Sequence, residues 1–175
     1  MGHSQPSQLP DSDVERIKDL AVRAVRAVGI NCGPAHVEIM NTKEGPKMIE
    51  LGARMGGDCI TTHLVPLSTG IDMVRATIDV SLGNKPDIKP KWDKGSAIRF
   101  FDAPKGEMRS ISGVEEAGRI EGVEELFLTK KAGERMGEIF SSIDRPGYVI
   151  AQGGSARKAV EVCESVLSLV KFETR

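Results

Sequence analysis

The chain has 175 residues, with 24 Lys+Arg against 25 Asp+Glu and a formal net charge of −1. Its 39% hydrophobic and 28% charged residues exclude wholesale disorder. The near-neutral charge gives no excess of basic residues that would favour binding to nucleic acid or an anionic membrane. No run approaches the roughly 18 apolar residues of a membrane helix. The three cysteines form no Cys-x-x-Cys pair. A disulfide scaffold and a zinc module are therefore not expected, and a reducing, cytoplasmic setting is predicted.

The first half of the chain reads as a helix followed by a hairpin and further helices. Residues 1–10 are polar and aperiodic, and we interpret them as a tag or linker outside the fold. A capping box at Ser12 and Glu15, followed by apolar residues at helical spacing, predicts an amphipathic helix that ends at Gly29. The later segments are predicted as strands over 35–41 and 47–54 around a turn, and as helices over 60–67 and 71–82.

The second half has a different pattern. The polar, proline-containing stretch 84–95 predicts a subdomain boundary near residue 90, which gives units over 11–90 and 91–175. The predicted elements that follow are a hairpin of 96–102 with 107–112, strands over 124–129 and 147–151, and a helix capped by Ser155. Strands mixed with helices and hairpins predict an α+β fold with a mainly antiparallel sheet.

Alternation of side chains along the two predicted strands of the first hairpin sets its register. The apolar face is Ala35, Val37 and Ile39 on the first strand and Ile49, Leu51 and Ala53 on the second. If these residues face the core, Val37 pairs with Leu51 and Ile39 with Ile49.

The opposite face then brings two acids together. Glu38 lies directly across from Glu50, with Cβ atoms about 4.5–5.5 Å apart. Two carboxylates at about 4 Å repel by about 4 kcal/mol at an effective dielectric of 20. Either a cation bridges the pair or one acid holds a proton. Paired carboxylates favour Mg²⁺ or Mn²⁺, and magnesium held in this way usually also binds substrate phosphates.

The residues after the second acid fit a phosphate site. Arg54 emerges on the same face as the acids, and the Gly56-Gly57 pair lets backbone approach a ligand closely. Asp58 is predicted to open a helix, whose N-terminal amides attract anions. A divalent cation, the arginine and the helix N-terminus together would stabilise the negative charge that develops as a phosphoryl group is transferred.

This stretch resembles the C-terminal part of ATP-grasp ligases, particularly L-amino acid ligases and the carbamoyl-phosphate-synthase-like branch. The likeness rests on an acidic strand, a turn, a second acidic strand with its arginine, and a Gly-Gly loop, and it covers about residues 29–83. The remainder, to about residue 170, resembles more loosely the substrate-side subdomain of those enzymes. The resemblance implies the C-terminal lobe of an ATP-grasp domain followed by a small α+β subdomain.

The resemblance also implies roles for individual residues. Glu38 and Glu50 become the Mg²⁺ (or Mn²⁺) ligands that bridge ATP phosphates, and Arg54 the catalytic residue that holds the acyl phosphate. The residues implied to border the substrate pocket are His36, Gly56, Gly57 and Asp58. The implied reaction is ATP-dependent ligation of a carboxylate to an amine.

Two departures from the family pattern stand out. The family often has Asn two positions after the second Glu as a further metal ligand, and here that position is Gly52. The chain also has no glycine-rich phosphate loop and no room for the preceding family domains. It is therefore expected to be a C-terminal fragment that is inactive without those N-terminal domains, with small-molecule substrates and a possible homodimer as its other partners.

Other interpretations stay open at this point. The enzyme alternative activates bicarbonate or carbamate, as in carbamoyl-phosphate synthase or biotin carboxylase, and the non-enzyme alternative is an assembly module of a split ligase. The structural alternatives are solvated acids at Glu38 and Glu50, an ion pair at Arg54, an ordinary strand histidine at His36, turn glycines at Gly56 and Gly57, and a helix N-cap at Asp58. The donor and acceptor substrates are not determined by the sequence.

Overall fold

The computed structural model describes residues 1–175. The helices are α1 (Asp11–Ala27), α2 (Val65–Thr69), α3 (Met73–Ser81), α4 (Val114–Gly118) and α5 (Ala156–Leu169), with a π-helical turn at Ile60–Leu64 and a 3-10 turn at Ser142–Asp144. The strands are β1 (Gly2–Gln5), β2 (His36–Thr42), β3 (Gly45–Gly52), β4 (Gly95–Phe100), β5 (Gly106–Ser112), β6 (Val123–Leu128), β7 (Arg135–Met136), β8 (Gly147–Gly153) and β9 (Lys171–Thr174). All strand pairs are antiparallel, so the predicted α+β class is confirmed. None of the helices combines the length and the apolar character needed to cross a membrane.

The largest sheet has the strand order β1-β4-β8-β6 and is covered on both faces. Successive residues of β4 point to opposite sides. Ala97 belongs to the core that α5 forms with Cys163, whereas Ile98 packs against Leu64 of the π-helical turn. These four residues are at most 1% exposed. The two halves of the chain therefore share one sheet as their common core.

Strands β4 and β5 do not form the predicted hairpin. β4 lies between β1 and β8, whereas β5 pairs with β7 and β9 in a separate three-stranded sheet. The last strand, β9, follows α5 and returns to β5, where Phe172 contacts Phe101 with ring centroids 5.5 Å apart. The segment between β4 and β5 therefore connects two sheets.

In the first half, α1 packs on the β2–β3 hairpin. α1 begins at Asp11 with Pro10 as N-cap and no side-chain capping bond, so the capping box predicted at Ser12 and Glu15 is not formed. Gly29 adopts φ 74° and ends the helix as predicted. None of the apolar side chains of the hairpin is fully buried. The hairpin is thus covered only in part by α1.

The expectation that residues 1–10 lie outside the fold is wrong for β1. This strand pairs with β4 from Gly2 opposite Arg99 to Gln5 opposite Ser96, and it forms one edge of the large sheet. The stretch 84–94 has no regular structure, and Gly95 begins β4. The division of the chain near residue 90 stays a prediction.

Candidate functional site

The β2–β3 hairpin brings two carboxylates and an imidazole together. Glu38 pairs directly with Glu50, and His36 pairs with Gly52, on antiparallel strands. One ligand atom from each of His36, Glu38 and Glu50 lies within 4.8 Å of the others. Glu38 and Glu50 are exposed and His36 is half-buried. The predicted juxtaposition of the two acids is therefore present in the fold.

A β-bulge lies immediately beyond this pair. Because the bulge falls between Glu38 and Ile39, Ile39 faces Met48 instead of Ile49. The predicted Ile39–Ile49 pairing is wrong, and Ile49 is 51% exposed. A bulge sets two residues of one strand against one of the other, which simple alternation does not reveal.

Arg54 follows β3 and folds back over the strand. Its Nη2 donates to Oε1 of Glu50 at 3.2 Å, and its Nη1 donates to the carbonyl oxygen of Met55 at 3.1 Å. Both side chains of the ion pair are 55% exposed, so it contributes about 1 kcal/mol or less. A Cβ at Gly52 would lie 3.2 Å from Cγ of Arg54. The glycine therefore leaves room for this arginine conformation, which joins Arg54 to the acids.

The loop after Arg54 has an unusual backbone. Asp58 and Cys59 adopt φ 48° and φ 60°, and consecutive non-glycine residues in the left-handed region indicate local strain. The helical segment starts only at Ile60, with Cys59 as N-cap and no side-chain capping bond. The prediction that Asp58 opens the helix is therefore wrong, and the alternative N-cap role is also absent.

The Asp58 carboxylate instead joins distant parts of the chain. Its Oδ2 lies 3.2 Å from Nε2 of His3 and accepts a hydrogen bond from Nη1 of Arg145 at 3.2 Å. The Arg145 guanidinium also stacks on the Phe100 ring, 3.8 Å from its centroid. Burial raises the pKa of Asp58, but the hydrogen bonds from His3 and Arg145 outweigh it, so the pKa lies below its usual value. Asp58 is therefore held ionised at neutral pH.

His3, Asp58 and part of the hairpin line one cavity of about 510 Å³. Its polar lining consists of His3, His36, Glu38, Arg54, Gly57 and Asp58. Gly56 lies just behind it, where an added Cβ would be 3.1 Å from Nδ1 of His36. A cavity of about 620 Å³ also lies between the β8–α5 turn and the loop before β6, but it contains none of the predicted site residues.

Sequence reasoning missed His3 and Arg145. His3 lies in the segment interpreted as a linker, and Arg145 follows the 3-10 turn in the second half. They are 55 and 87 residues from Asp58 along the chain. No local pattern marks such residues, because only the antiparallel sheet brings β1 and the start of β8 to the same side of the molecule.

The donor set at the hairpin fits a divalent cation. Carboxylate oxygens are the ligands that magnesium and manganese prefer, and imidazole nitrogen is a common ligand of divalent transition-metal ions. Burial raises the pKa of the nearby Cys59 thiol, which disfavours a thiolate ligand at neutral pH. The residues that could hold a metal here are therefore Glu38, Glu50 and His36.

Comparisons with known proteins find relatives of the second half and of nearly the whole chain. Residues 99–175 match the family model "L-amino acid ligase C-terminal domain 2". The chain is 27% identical over 168 residues to the uncharacterized protein y4rH of Sinorhizobium fredii, covering 95% of this chain and 35% of that protein. It is 29% identical over 163 residues to a phosphoribosylamine–glycine ligase of Caldanaerobacter subterraneus, covering 91% and 38%.

Solved structures share the fold over the whole chain. The L-amino acid ligase of Bacillus licheniformis matches with TM-score 0.84 and 23% identity, covering 99% of this chain and 45% of that one. The chain thus spans between about a third and a half of the length of these proteins. The resemblance to the C-terminal part of ATP-grasp ligases is confirmed by these matches, with residues 99–175 fitting the L-amino acid ligase C-terminal domain.

Proposed function

We propose that this chain is the C-terminal part of an ATP-grasp ligase that joins a carboxylate to an amine, using ATP and Mg²⁺. The observation that carries the proposal is the pairing of Glu38 with Glu50 across the hairpin, with Arg54 bonded to Glu50 and with Glu38 and Arg54 lining a cavity. Two neighbouring carboxylates beside an arginine suit a metal-bound polyphosphate. The ligases among the relatives support the same chemistry.

Each site residue has a place in the proposed reaction. A bound metal would neutralise phosphate charge and align the transferred group. Glu38 and Glu50 would hold it. The substrate carboxylate attacks the γ-phosphorus of ATP, giving an acyl phosphate and ADP. The amine then attacks the acyl carbon, and phosphate leaves.

Arg54 would act on the acyl phosphate during both steps. Its guanidinium is bonded to Glu50 through an exposed, weak ion pair. Such a contact is easily exchanged for a phosphate oxygen, to which guanidinium binds in a planar fork. The cavity wall at Gly57 and Asp58 would border the substrate.

Metal-dependent nucleotide binding tests the proposal. We expect Mg²⁺ with ADP to raise the melting temperature of the chain, and Glu38→Gln or Glu50→Gln to remove that increase. Glu44→Gln is the matched control, because Glu44 is an acid of the same hairpin that is 82% exposed and paired with Lys47. Equal stabilisation of all four proteins by Mg²⁺ and ADP would refute the proposed role of the acid pair.

Turnover is expected only when the rest of the enzyme is present. The chain spans 35–38% of the two curated relatives described above, so we expect that this chain alone does not convert ATP to ADP when amino acids are added. Adding the missing family domains, fused or as a separate chain, should give amino-acid-dependent ADP release. Tight binding of those domains without any metal or nucleotide binding would instead support the assembly-module alternative.

A further inference from the structure

The histidine of the hairpin lies beside the two paired acids. His36 pairs with Gly52 across the strands, two residues before Glu38 on the same strand. Residues two apart on a strand share a face, so the imidazole and the two carboxylates project from the same side. Their ligand atoms lie within 4.8 Å of one another. One small ion could therefore contact all three residues.

Two glycines lie next to this imidazole, and neither has a side chain that could bond to it. Gly52, opposite His36, has no side chain and cannot supply a ligand. At Gly56, an added Cβ would lie 3.1 Å from Nδ1 of His36, so even alanine there would crowd the ring. The imidazole is half-buried and, unlike the rings of His3 and His63, makes no hydrogen bond within the chain. Its ring nitrogens are thus available to a ligand.

We propose that His36 is a protein ligand of the metal, completing a set of one imidazole and two carboxylates with Glu38 and Glu50. The proposal rests on the proposed function, because it assigns a third donor to the metal inferred there. An imidazole nitrogen is a softer donor than an amide or carboxylate oxygen and suits transition ions better than Mg²⁺. The set therefore favours Mn²⁺ over Mg²⁺ more strongly than two carboxylates alone would.

Manganese alone is the probe, because its paramagnetism reports the ligands directly. The free Mn²⁺ signal in electron paramagnetic resonance gives the affinity of the full chain, and electron spin echo spectroscopy detects directly bound ¹⁴N. We expect a ¹⁴N coupling in the wild-type chain that is absent from His36→Gln. We also expect His36→Gln to weaken Mn²⁺ binding about tenfold or more and to weaken Mg²⁺ binding less.

A second histidine supplies the matched control. His63 is 39% exposed and lies 3.2 Å from Glu125, outside the cluster, so His63→Gln should leave both the affinity and the ¹⁴N coupling unchanged. Adding Gly52→Asn to the His36→Gln variant should restore part of the affinity through an amide oxygen, but not the ¹⁴N coupling. The melting temperatures in EDTA show that each variant is folded.

The outcomes separate this inference from the proposed function. If Mn²⁺ binds the wild-type chain without a ¹⁴N coupling, and His36→Gln binds it equally well, the assignment of His36 is wrong. If Glu38→Gln and Glu50→Gln still abolish binding in that case, the proposed function is unaffected. If the two Glu variants bind Mn²⁺ as the wild-type chain does, the metal site itself, and His36 with it, is refuted.

Discussion

Replacing Glu38 by Gln should change the stability of the chain in opposite directions with and without metal. The ligand atoms of Glu38 and Glu50 lie within 4.8 Å of each other, and both side chains are exposed. In a water-like dielectric this repulsion is about 1 kcal/mol. Without metal, Glu38→Gln should therefore stabilise the chain by up to about 1 kcal/mol, or about 2–4 °C in melting temperature.

Metal should reverse the order of the two proteins. A ligand at 100 times its dissociation constant stabilises the folded state by about 2.7 kcal/mol, and only the wild-type chain should gain this. Thermal unfolding in EDTA and in saturating Mg²⁺ measures both effects. Glu44→Gln is the control, and its melting temperature should match that of the wild-type chain under both conditions. A lower melting temperature of Glu38→Gln in EDTA, or an equal gain from Mg²⁺ in both proteins, would refute the reasoning.

The remaining predictions concern the core, a close contact and a pH-dependent ion pair. Ile98→Ala should cost about 2–5 kcal/mol in urea unfolding, because Ile98 is 0% exposed, whereas Ile143→Ala, at 85% exposed, should stay within about 0.5 kcal/mol. Gly95→Ala should cost at least about 1–3 kcal/mol of unfolding free energy, because the added Cβ would lie 1.9 Å from the backbone at the α5 N-terminus. Gly154→Ala is the control, because an added Cβ there meets nothing within 4 Å. Equal unfolding midpoints of the two variants would contradict this. Hydrogen bonds that outweigh burial lower the folded-state pKa of Asp58, so its contribution is fully present above its unfolded pKa of about 4 and is lost as pH falls through the lower folded value. The stability difference between wild type and Asp58→Asn should therefore shrink below about pH 4, and a difference that is unchanged down to pH 2 would show that ionisation is not its cause.

Much of the local structure could be predicted. The helix after Ser155 forms with the predicted N-cap, since Ser155 accepts a hydrogen bond from the Lys158 amide. Gly29 ends α1 as predicted, and Glu38 pairs with Glu50. These features depend on residues a few positions apart or on one short hairpin. Periodicity, caps and turns therefore carry enough information to predict them.

The rest of the site depends on contacts that no local pattern encodes. Strand β1 is polar and short, so nothing in its composition indicates that it pairs with β4. The bulge after Glu38 and the left-handed backbone at Asp58 depend on how the hairpin and the cavity wall pack. Residue type does not reveal them, because glutamate does not mark a bulge, and aspartate, although enriched in the left-handed region, adopts it at only a minority of positions.

The sequence by itself determined the helices α1, α3 and α5 and the first hairpin, and that two acids share one face of that hairpin, because these follow from periodicity over short distances. Only the tertiary structure decided which strands become neighbours. It also brought His3 and Arg145 to Asp58, and it separated β4 from β5. The physical reason is that antiparallel strands of similar composition can pair in several ways, and the choice among them depends on burying the apolar faces of the whole chain at once.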